Sequence, residues 1–347
     1  MRCIVHIGSP KTGTTAIQMF LSGQRETLYE AGIAYPSAGT VVGDKTHVRH
    51  LRFRYAMTNT GPIPSSILAD LGIVNASTRA KHRRSLIDEF DAEIDQYRGI
   101  HTMVLSDEAL FRYATDELAI ASREFMMARF DDVEIVIYLR RPDRYLESFY
   151  SQHIKAGGRQ TLSGFVEQNI DMIDYAARIL PWVNQFGPKS VHIISFDRRN
   201  LVDGDVVADF ASRCGLAGVG AQEKQPNQSL SVLGCHVLRN INLMYRRRKS
   251  RRPDHLRAIV SRSFSGAPPH LDSEIFASIV GDIRASHEEL LGTVGSSIEG
   301  PFYSMSDMLR IPAADRQPDG DELAELGRVI ARSVVEAYEH SREASSF

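Results

Sequence analysis

A short apolar segment, a loop with two glycines and an amphipathic helical pattern follow one another near the beginning of the sequence. Residues 3–7 read Cys-Ile-Val-His-Ile, residues 8–15 read Gly-Ser-Pro-Lys-Thr-Gly-Thr-Thr, and apolar residues then recur at helical spacing. A strand that leads through such a loop into a helix offers backbone N–H groups and the positive end of the helix dipole to an anion. This feature predicts a phosphate-binding loop in an α/β fold.

The two glycines of the loop have the spacing found in the nucleotide-triphosphatase pattern G-x-x-x-x-G-K-[ST]. Here Thr14 stands where that pattern has its lysine, and Lys11 lies inside the loop instead. Lys11 can still reach a bridging or terminal phosphate oxygen as a point charge, and the threonines add hydroxyl donors. The alternative is a plain connection between a strand and a helix, but the concentration of one cation and three hydroxyls favours an anion site.

Three later apolar runs, residues 101–105, 133–139 and 190–194, predict further strands, and helical patterns separate them. Strands that alternate with helices indicate a mostly parallel sheet with helices on both faces. We therefore expect an α/β fold of the P-loop type with three layers. Ligands of such folds bind beyond the carboxyl ends of the strands, where the loop at 8–15 also lies.

The length of 347 residues is compatible with two domains of about 150 residues or with one α/β domain that carries insertions. The pattern after about residue 200 is helical. We interpret residues 1–347 as a single domain, with a core over 1–215 and a helical C-terminal extension over 216–347.

An arginine pair follows the run at 133–139, and Pro142 then suits the first turn of a helix. Arg140 offers a planar fork of donors that suits a phosphate, and Ser148, eight residues later, adds a hydroxyl from the same helix. The alternative is that the arginines pair with carboxylates at the end of the sheet.

The two motifs together resemble those of the sulfotransferases that use 3′-phosphoadenosine 5′-phosphosulfate (PAPS). The resemblance covers roughly residues 2–215, and the segment at 226–231 also looks like one found in bacterial members. It implies transfer of a sulfuryl group from PAPS to a hydroxyl, or less readily an amine, with 3′-phosphoadenosine 5′-phosphate (PAP) as the product. The family's 5′-phosphosulfate loop matches Pro10, Lys11, Thr12, Gly13, Thr14 and Thr15, and its 3′-phosphate residues match Arg140 and Ser148.

Sulfuryl transfer needs a cation at the leaving phosphate, for which Lys11 is the candidate, and a base for the acceptor. Glu108 follows the strand at 101–105, and some similar sulfotransferases carry their catalytic histidine at the corresponding strand end. The residues around Glu108 also look like a helix-capping sequence, so a structural role stays open. His47 and His50 are the other candidates, because other branches of the family take the base from this Gly- and Pro-punctuated region.

Composition and charge argue against several classes of partner and site. A net charge of −2 gives no overall positive potential that would attract nucleic acid. The sequence contains no run of about 18 apolar residues, so we expect no membrane-spanning helix. Three widely spaced cysteines form neither a disulfide framework nor a CxxC pair, and the histidines show no metal-ligand pattern. Without a signal-peptide pattern, we expect a bacterial cytoplasmic enzyme that requires no metal.

By fold-level analogy alone, we expect the acceptor to be a carbohydrate or glycolipid. A basic run at 246–252 would suit an anionic acceptor, or is a solvated helix end. Two other functions stay open. A divergent P-loop nucleotide kinase or triphosphatase predicts magnesium-dependent ATP binding, and a non-catalytic nucleotide-binding module predicts donor binding without turnover.

Overall fold

The computed structural model describes residues 1–58, 65–216, 229–247, 253–266, 269–271, 273–295, 298–299 and 320–344. The chain divides into two compact units. The first consists of Met1–Arg140, Asp174–Glu223 and Arg284–Phe302, and the second of Arg141–Ile173, Lys224–Ile283 and Tyr303–Phe347. The single domain expected from the sequence stays a prediction. Part of the segment at 226–231 and most of the basic run at 246–252 lie outside the described residues.

The first unit contains a six-stranded sheet in which every strand pairing is parallel. The strands of the chain are β1 (Arg2–His6), β2 (Ile33–Ala34), β3 (Val41–Val42), β4 (Lys45–Thr46), β5 (Thr102–Ser106), β6 (Asp132–Leu139), β7 (Val191–Ser195) and β8 (Ile298–Glu299). The strand order in the large sheet is β2-β5-β1-β6-β7-β8, and β3 and β4 form a separate antiparallel pair. The mostly parallel sheet predicted from the apolar runs is thereby confirmed.

The helices connect these strands and also make up most of the second unit. They are α1 (Thr14–Gly23), α2 (Arg25–Glu30), α3 (Leu51–Met57), α4 (Ser65–Asp70), α5 (Ala76–Ile94), α6 (Ala109–Arg112), α7 (Asp116–Met127), α8 (Pro142–Lys155), α9 (Leu162–Asn169), α10 (Tyr175–Phe186), α11 (Val206–Arg213), α12 (Val232–Arg247), α13 (Asp254–Ser263), α14 (Ser273–Val294) and α15 (Gly320–Ala344). Nowhere in the described ranges is a helix both long and apolar enough to span a bilayer.

Helices cover both faces of the sheet. Along β6 successive side chains point to opposite faces, and Val136 and Tyr138 share one buried core with side chains from α1 and α11. Helices α7 and α10 also contact β6 but contribute nothing to that core, so they lie on the other face. The result is the predicted three-layer α/β arrangement.

One strand lies where the sequence pattern predicted only helices. β8 pairs with β7 over two residues, Ile298 with Ile193 and Glu299 with Ile194. The Glu299 carboxylate also accepts a hydrogen bond from Arg213 at 2.7 Å. Two residues carry no alternation of apolar and polar positions, so a strand of this length leaves no sequence signal.

The second unit is built from helices. Helix α12 packs along α15, and at Gly327 an added Cβ would come within 2.6 Å of the Cβ of His236. Helix α12 also contacts α8, where the Asn242 amide donates to the carbonyls of Ile154 at 2.9 Å and Gly158 at 2.7 Å. Helix α12 buries one face, on which Val237, Leu238 and Ile241 are fully buried.

Candidate functional site

The loop at 8–15 leaves β1 at the carboxyl edge of the sheet and ends in α1. Lys11 and Gly13 adopt left-handed backbone conformations with φ of 69° and 79°. A Cβ at Gly13 would approach the Cγ1 of Val206 to 2.5 Å, so glycine allows α11 to pack on the loop. Helix α1 therefore begins directly after a tightly constrained turn. Its first N–H groups have no acceptor within the helix.

A buried polar chain beneath the loop ties β1, β5 and α1 together. The Gln18 amide donates to the Ser106 hydroxyl at 3.2 Å, and that hydroxyl lies 2.9 Å from Nδ1 of His6. His6 is fully buried, and burial lowers its pKa to about 3. In the loop itself, the Thr12 hydroxyl donates to the Ser9 carbonyl at 2.6 Å. The first set of bonds holds together the strand and the helix that flank the loop, and the Thr12 bond stabilises the loop itself.

Glu108 lies directly beside the loop. The parallel register of β1 and β5 pairs His6 with Ser106, so both strands end at the same level of the sheet. The Thr14 hydroxyl donates to Oε2 of Glu108 at 2.9 Å. Although Glu108 occupies the N-cap position of α6, its side chain makes no capping hydrogen bond. The side chain is 34% exposed and so can be reached by a ligand.

Asp107 and Arg49 form an ion pair next to Glu108. Asp107 is fully buried, and its Oδ1 accepts from Nη1 of Arg49 at 2.7 Å and from the Ala109 amide at 3.2 Å. Burial raises the pKa of the Asp107 carboxyl to about 6, against the opposing effect of Arg49. Nη1 of Arg49 also lies 3.7 Å from Oε1 of Glu108. The two oxygens of Glu108 thus face different partners, a loop threonine and an arginine.

Sequence reasoning did not find Arg49. The residue lies between the two candidate histidines of the irregular region at 36–78, but one arginine in such a region forms no pattern. Arg49 is held beside Glu108 by its bond to Asp107, which lies 58 residues further along the chain.

Arg140 and Lys11 are brought together at the carboxyl edge of the sheet. Nη1 of Arg140 donates to the Lys11 carbonyl at 3.4 Å, and the Tyr175 hydroxyl donates to the Arg140 carbonyl at 2.7 Å. Phe196, which follows β7, lies with its ring centre 5.9 Å from Cζ of Arg140. Ser148 is buried on α8 and belongs to the second unit, whereas Arg140 ends the first segment of the first unit.

His50 makes backbone contacts with both ring nitrogens. Nδ1 accepts from the Ser106 N–H at 3.0 Å, and Nε2 donates to the Pro36 carbonyl at 3.1 Å. The His50 N–H in turn donates to the Ser106 carbonyl at 2.9 Å. Burial lowers the pKa of the ring to about 4. His50 thus continues the edge of β5 beyond the end of β2, a structural role that leaves neither ring nitrogen open to an acceptor.

His47 is half-buried, and its backbone N–H donates to the Thr40 carbonyl at 2.9 Å. Burial, together with the charges of Arg49 and Lys45, lowers its pKa. Within the described part of the chain, no hydrogen bond joins His47 to the loop at 8–15. Of the three base candidates, Glu108 is therefore the one in contact with that loop.

The environment of His50 predicts a pH dependence of stability. Its folded pKa of about 4 lies below the ordinary value of 6.5, so the unfolded chain binds more protons between these pH values. The contribution of neutral His50 to the free energy of unfolding is fully present above about pH 6.5 and is lost as the pH falls towards 4. We expect urea unfolding to show a larger loss of stability between about pH 7.5 and about pH 5 for the wild type than for His50→Gln.

Glutamine keeps one acceptor and one donor at this position but does not titrate. The raised pKa of Asp107 acts in the opposite direction below about pH 6, but it is common to both proteins and cancels in the comparison. Equal losses in the two proteins would show that His50 is not held neutral by the fold.

The carboxyl edge of the sheet carries the loop with Lys11, the guanidinium of Arg140 beside the Lys11 carbonyl, and the N-terminus of α1, and groups of these kinds suit an anionic ligand. Within the ranges that the structure describes, no cluster of His, Cys, Asp or Glu is arranged to hold a metal ion.

Comparisons with known proteins give distant similarities. No protein-family model matches the chain. An uncharacterized protein from Archaeoglobus fulgidus is 32% identical over 142 residues, which is 40% of this chain, and the chain spans only 38% of that protein's length. A crystal structure of a sulfotransferase from Alicyclobacillus acidocaldarius is similar with a TM-score of 0.43 and 12% identity, over 84% of this chain and 95% of that chain.

Proposed function

We propose that the chain is a sulfotransferase that moves a sulfuryl group from PAPS to a hydroxyl of an acceptor. The observation that carries the proposal is the hydrogen bond of 2.9 Å between Thr14 of the loop and Glu108. This hydrogen bond supports the proposal, because a carboxylate beside the loop is suited to take a proton from an acceptor that attacks a group bound there. The cations Lys11 and Arg140 lie at the same edge of the sheet, as an anionic donor requires.

In this proposal the loop holds the 5′-phosphosulfate, and the 3′-phosphate binds to Arg140 and Ser148. The loop contributes its backbone N–H groups and the side chains of Lys11 and Thr15, which is exposed at the start of α1. Arg140 contributes a planar guanidinium, which can bind two phosphate oxygens at once. The residues at the 5′ end are Pro10, Lys11, Thr12, Gly13, Thr14 and Thr15.

The reaction forms a bond between the acceptor oxygen and sulfur while the bond between sulfur and the bridging phosphate oxygen breaks. The acceptor proton goes to Glu108, and the electron pair of the broken bond goes to the phosphate of PAP. Lys11 stabilises the negative charge that develops on that phosphate. Because a lysine supplies this charge, the proposed step includes no metal ion.

Replacing Arg140 by alanine is expected to weaken PAP binding by about 1.5–3 kcal/mol, the cost of a lost charged hydrogen bond. Calorimetric titration of PAP without metal, on the wild type and on Arg140→Ala, measures this difference. Arg98→Ala is the control, because Arg98 is exposed and precedes β5 at the opposite edge of the sheet. We expect it to bind PAP like the wild type.

The same titration with ATP and magnesium separates the proposal from a divergent nucleotide kinase or triphosphatase. We expect PAP to bind more tightly than ATP with magnesium. The reverse order would contradict the sulfotransferase proposal and favour the kinase-like function. Binding of PAP without turnover of PAPS on any acceptor would instead identify a non-catalytic nucleotide-binding module.

A further inference from the structure

We infer that Arg49 binds the acceptor, and that the acceptor carries an anionic group, such as a carboxylate, on the carbon next to the hydroxyl that receives the sulfuryl group. The inference rests on the proposed function, because it takes Glu108 as the point where the acceptor reacts. It gives a role in acceptor binding to Arg49, which is not part of the proposed donor site, and it names the chemical class of the acceptor.

The hydrogen bonding of Arg49 differs from that of Arg52, a neighbour in the same unit. Arg52 uses both terminal nitrogens for the carboxylate of Glu89, at 2.7 and 2.9 Å. Arg49 uses only Nη1, for Asp107. Its Nε and Nη2 make no hydrogen bond to any residue that the structure describes, and the side chain is 26% exposed. Asp107 therefore fixes the guanidinium from one side, and the remaining donors are accessible to a ligand.

Arg49 lies close to the oxygen of Glu108 that would take up the acceptor proton. Because Oε2 of Glu108 is bound to Thr14, Oε1 is the oxygen available for the acceptor proton, and Nη1 of Arg49 lies 3.7 Å from it. An acceptor hydroxyl at a hydrogen-bond distance of about 2.7 Å from Oε1 would lie no more than about 6.4 Å from that nitrogen. A carboxylate on the neighbouring carbon fills this gap and can reach the guanidinium by a charged hydrogen bond.

The charges around Glu108 favour such an acceptor during the reaction. Two carboxylates, Asp107 and Glu108, are balanced by Arg49 and by Arg54, a buried residue of α3 that interacts electrostatically with Asp107. Arg54 is held with its Cζ 3.9 Å from the ring centre of Tyr113. When Glu108 takes up the acceptor proton, one negative charge is removed and the two arginines are no longer balanced. An anionic group on the acceptor compensates for this change, so it is bound more tightly as the reaction proceeds.

Glucuronate and glucose are matched probes, because they differ only at C6, which is a carboxylate in glucuronate and a hydroxymethyl group in glucose. This group is carried by the carbon next to the one that bears the 4-hydroxyl. Both are titrated onto the PAP-loaded protein, and binding is followed from the ligand by NMR. We expect the wild type to bind glucuronate at least about tenfold more tightly than glucose, a difference of about 1.4 kcal/mol. Arg49→Ala should remove this preference, and Arg49→Lys should reduce it.

Arg52→Ala is the control, because it removes a neighbouring arginine whose two terminal nitrogens are both bonded to Glu89. It should keep the preference for glucuronate. Arg49→Ala leaves Asp107 buried without its partner, so a variant that keeps a neutral hydrogen-bonded pair, Arg49→Gln with Asp107→Asn, is measured beside it. This second variant should also bind the two sugars equally.

Three outcomes overturn the inference: equal binding of both sugars to the wild type, binding of neither, or a preference that survives in the folded variants lacking the Arg49 charge. The PAP titration of the same samples separates this failure from that of the proposed function. A wild type that does not bind PAP contradicts the proposed function itself, whereas one that binds PAP but does not discriminate between the sugars contradicts only the role of Arg49.

Discussion

Replacing Glu108 by glutamine is expected to slow sulfuryl transfer by about 10²–10⁴-fold, the usual contribution of a positioned general base. Glutamine has nearly the same shape, and its amide oxygen can still accept the hydrogen bond from Thr14, which is 2.9 Å in the wild type. It cannot take up the acceptor proton. The rate is measured as release of PAP from PAPS in the presence of sugar acceptors with and without a carboxylate.

The binding of PAP decides how a slow Glu108→Gln enzyme is interpreted. We expect its affinity for PAP to stay within about twofold of the wild type, because the loop and its contacts are preserved. Glu30→Gln, an exposed glutamate on α2, is the matched control and should leave both quantities unchanged. Full activity in Glu108→Gln would place the base elsewhere, and a loss of PAP binding would show that Glu108 only supports the loop.

Replacing Lys11 by alanine is expected to lower the rate of transfer by about 10²–10³-fold, as the removal of a preorganised stabilising group does in other active sites. The backbone at Lys11 is left-handed in the wild type, with φ of 69°, and alanine experiences the same constraint there because both residues carry a Cβ. The comparison therefore reports on the ammonium group rather than on the turn. Measurements of kcat with saturating PAPS isolate the chemical step from donor binding.

Lys189→Ala is the control for Lys11→Ala. Lys189 is exposed and precedes β7 at the amino end of the sheet, opposite to the loop. It should have the activity of the wild type. If Lys11→Ala weakened PAPS binding but kept the wild-type kcat, the lysine would hold the donor without stabilising the leaving phosphate, and the proposed step would need another cation.

The parts of the candidate site that could be predicted from the sequence are those formed by consecutive residues. The loop at 8–15 could be recognised because its glycines, lysine and threonines stand next to one another, and Arg140 because it ends an apolar run. The parallel sheet followed from the same apolar runs. Each of these features is encoded locally, so it needs no knowledge of which segments meet.

The remaining features depend on contacts between distant segments. Thr14 and Glu108 are 94 residues apart in the chain, and Arg49 meets Asp107 across 58 residues. His50 was a candidate for the base because of its residue type and region. Its contacts with Ser106 and Pro36 exist only because β2 ends early and leaves the edge of β5 to be covered. No pattern within a single segment records that arrangement.

The place of β1 in the sheet has a consequence for the growing chain on the ribosome. β1 lies between β5 and β6, whose residues follow it by about 100 and 130 positions. At about 5–20 residues per second, this apolar strand waits on the order of ten seconds before both neighbours have been synthesised. An unpaired strand of this kind is open to premature association with other chains, so we expect nascent chains shorter than residue 140 to depend on chaperones.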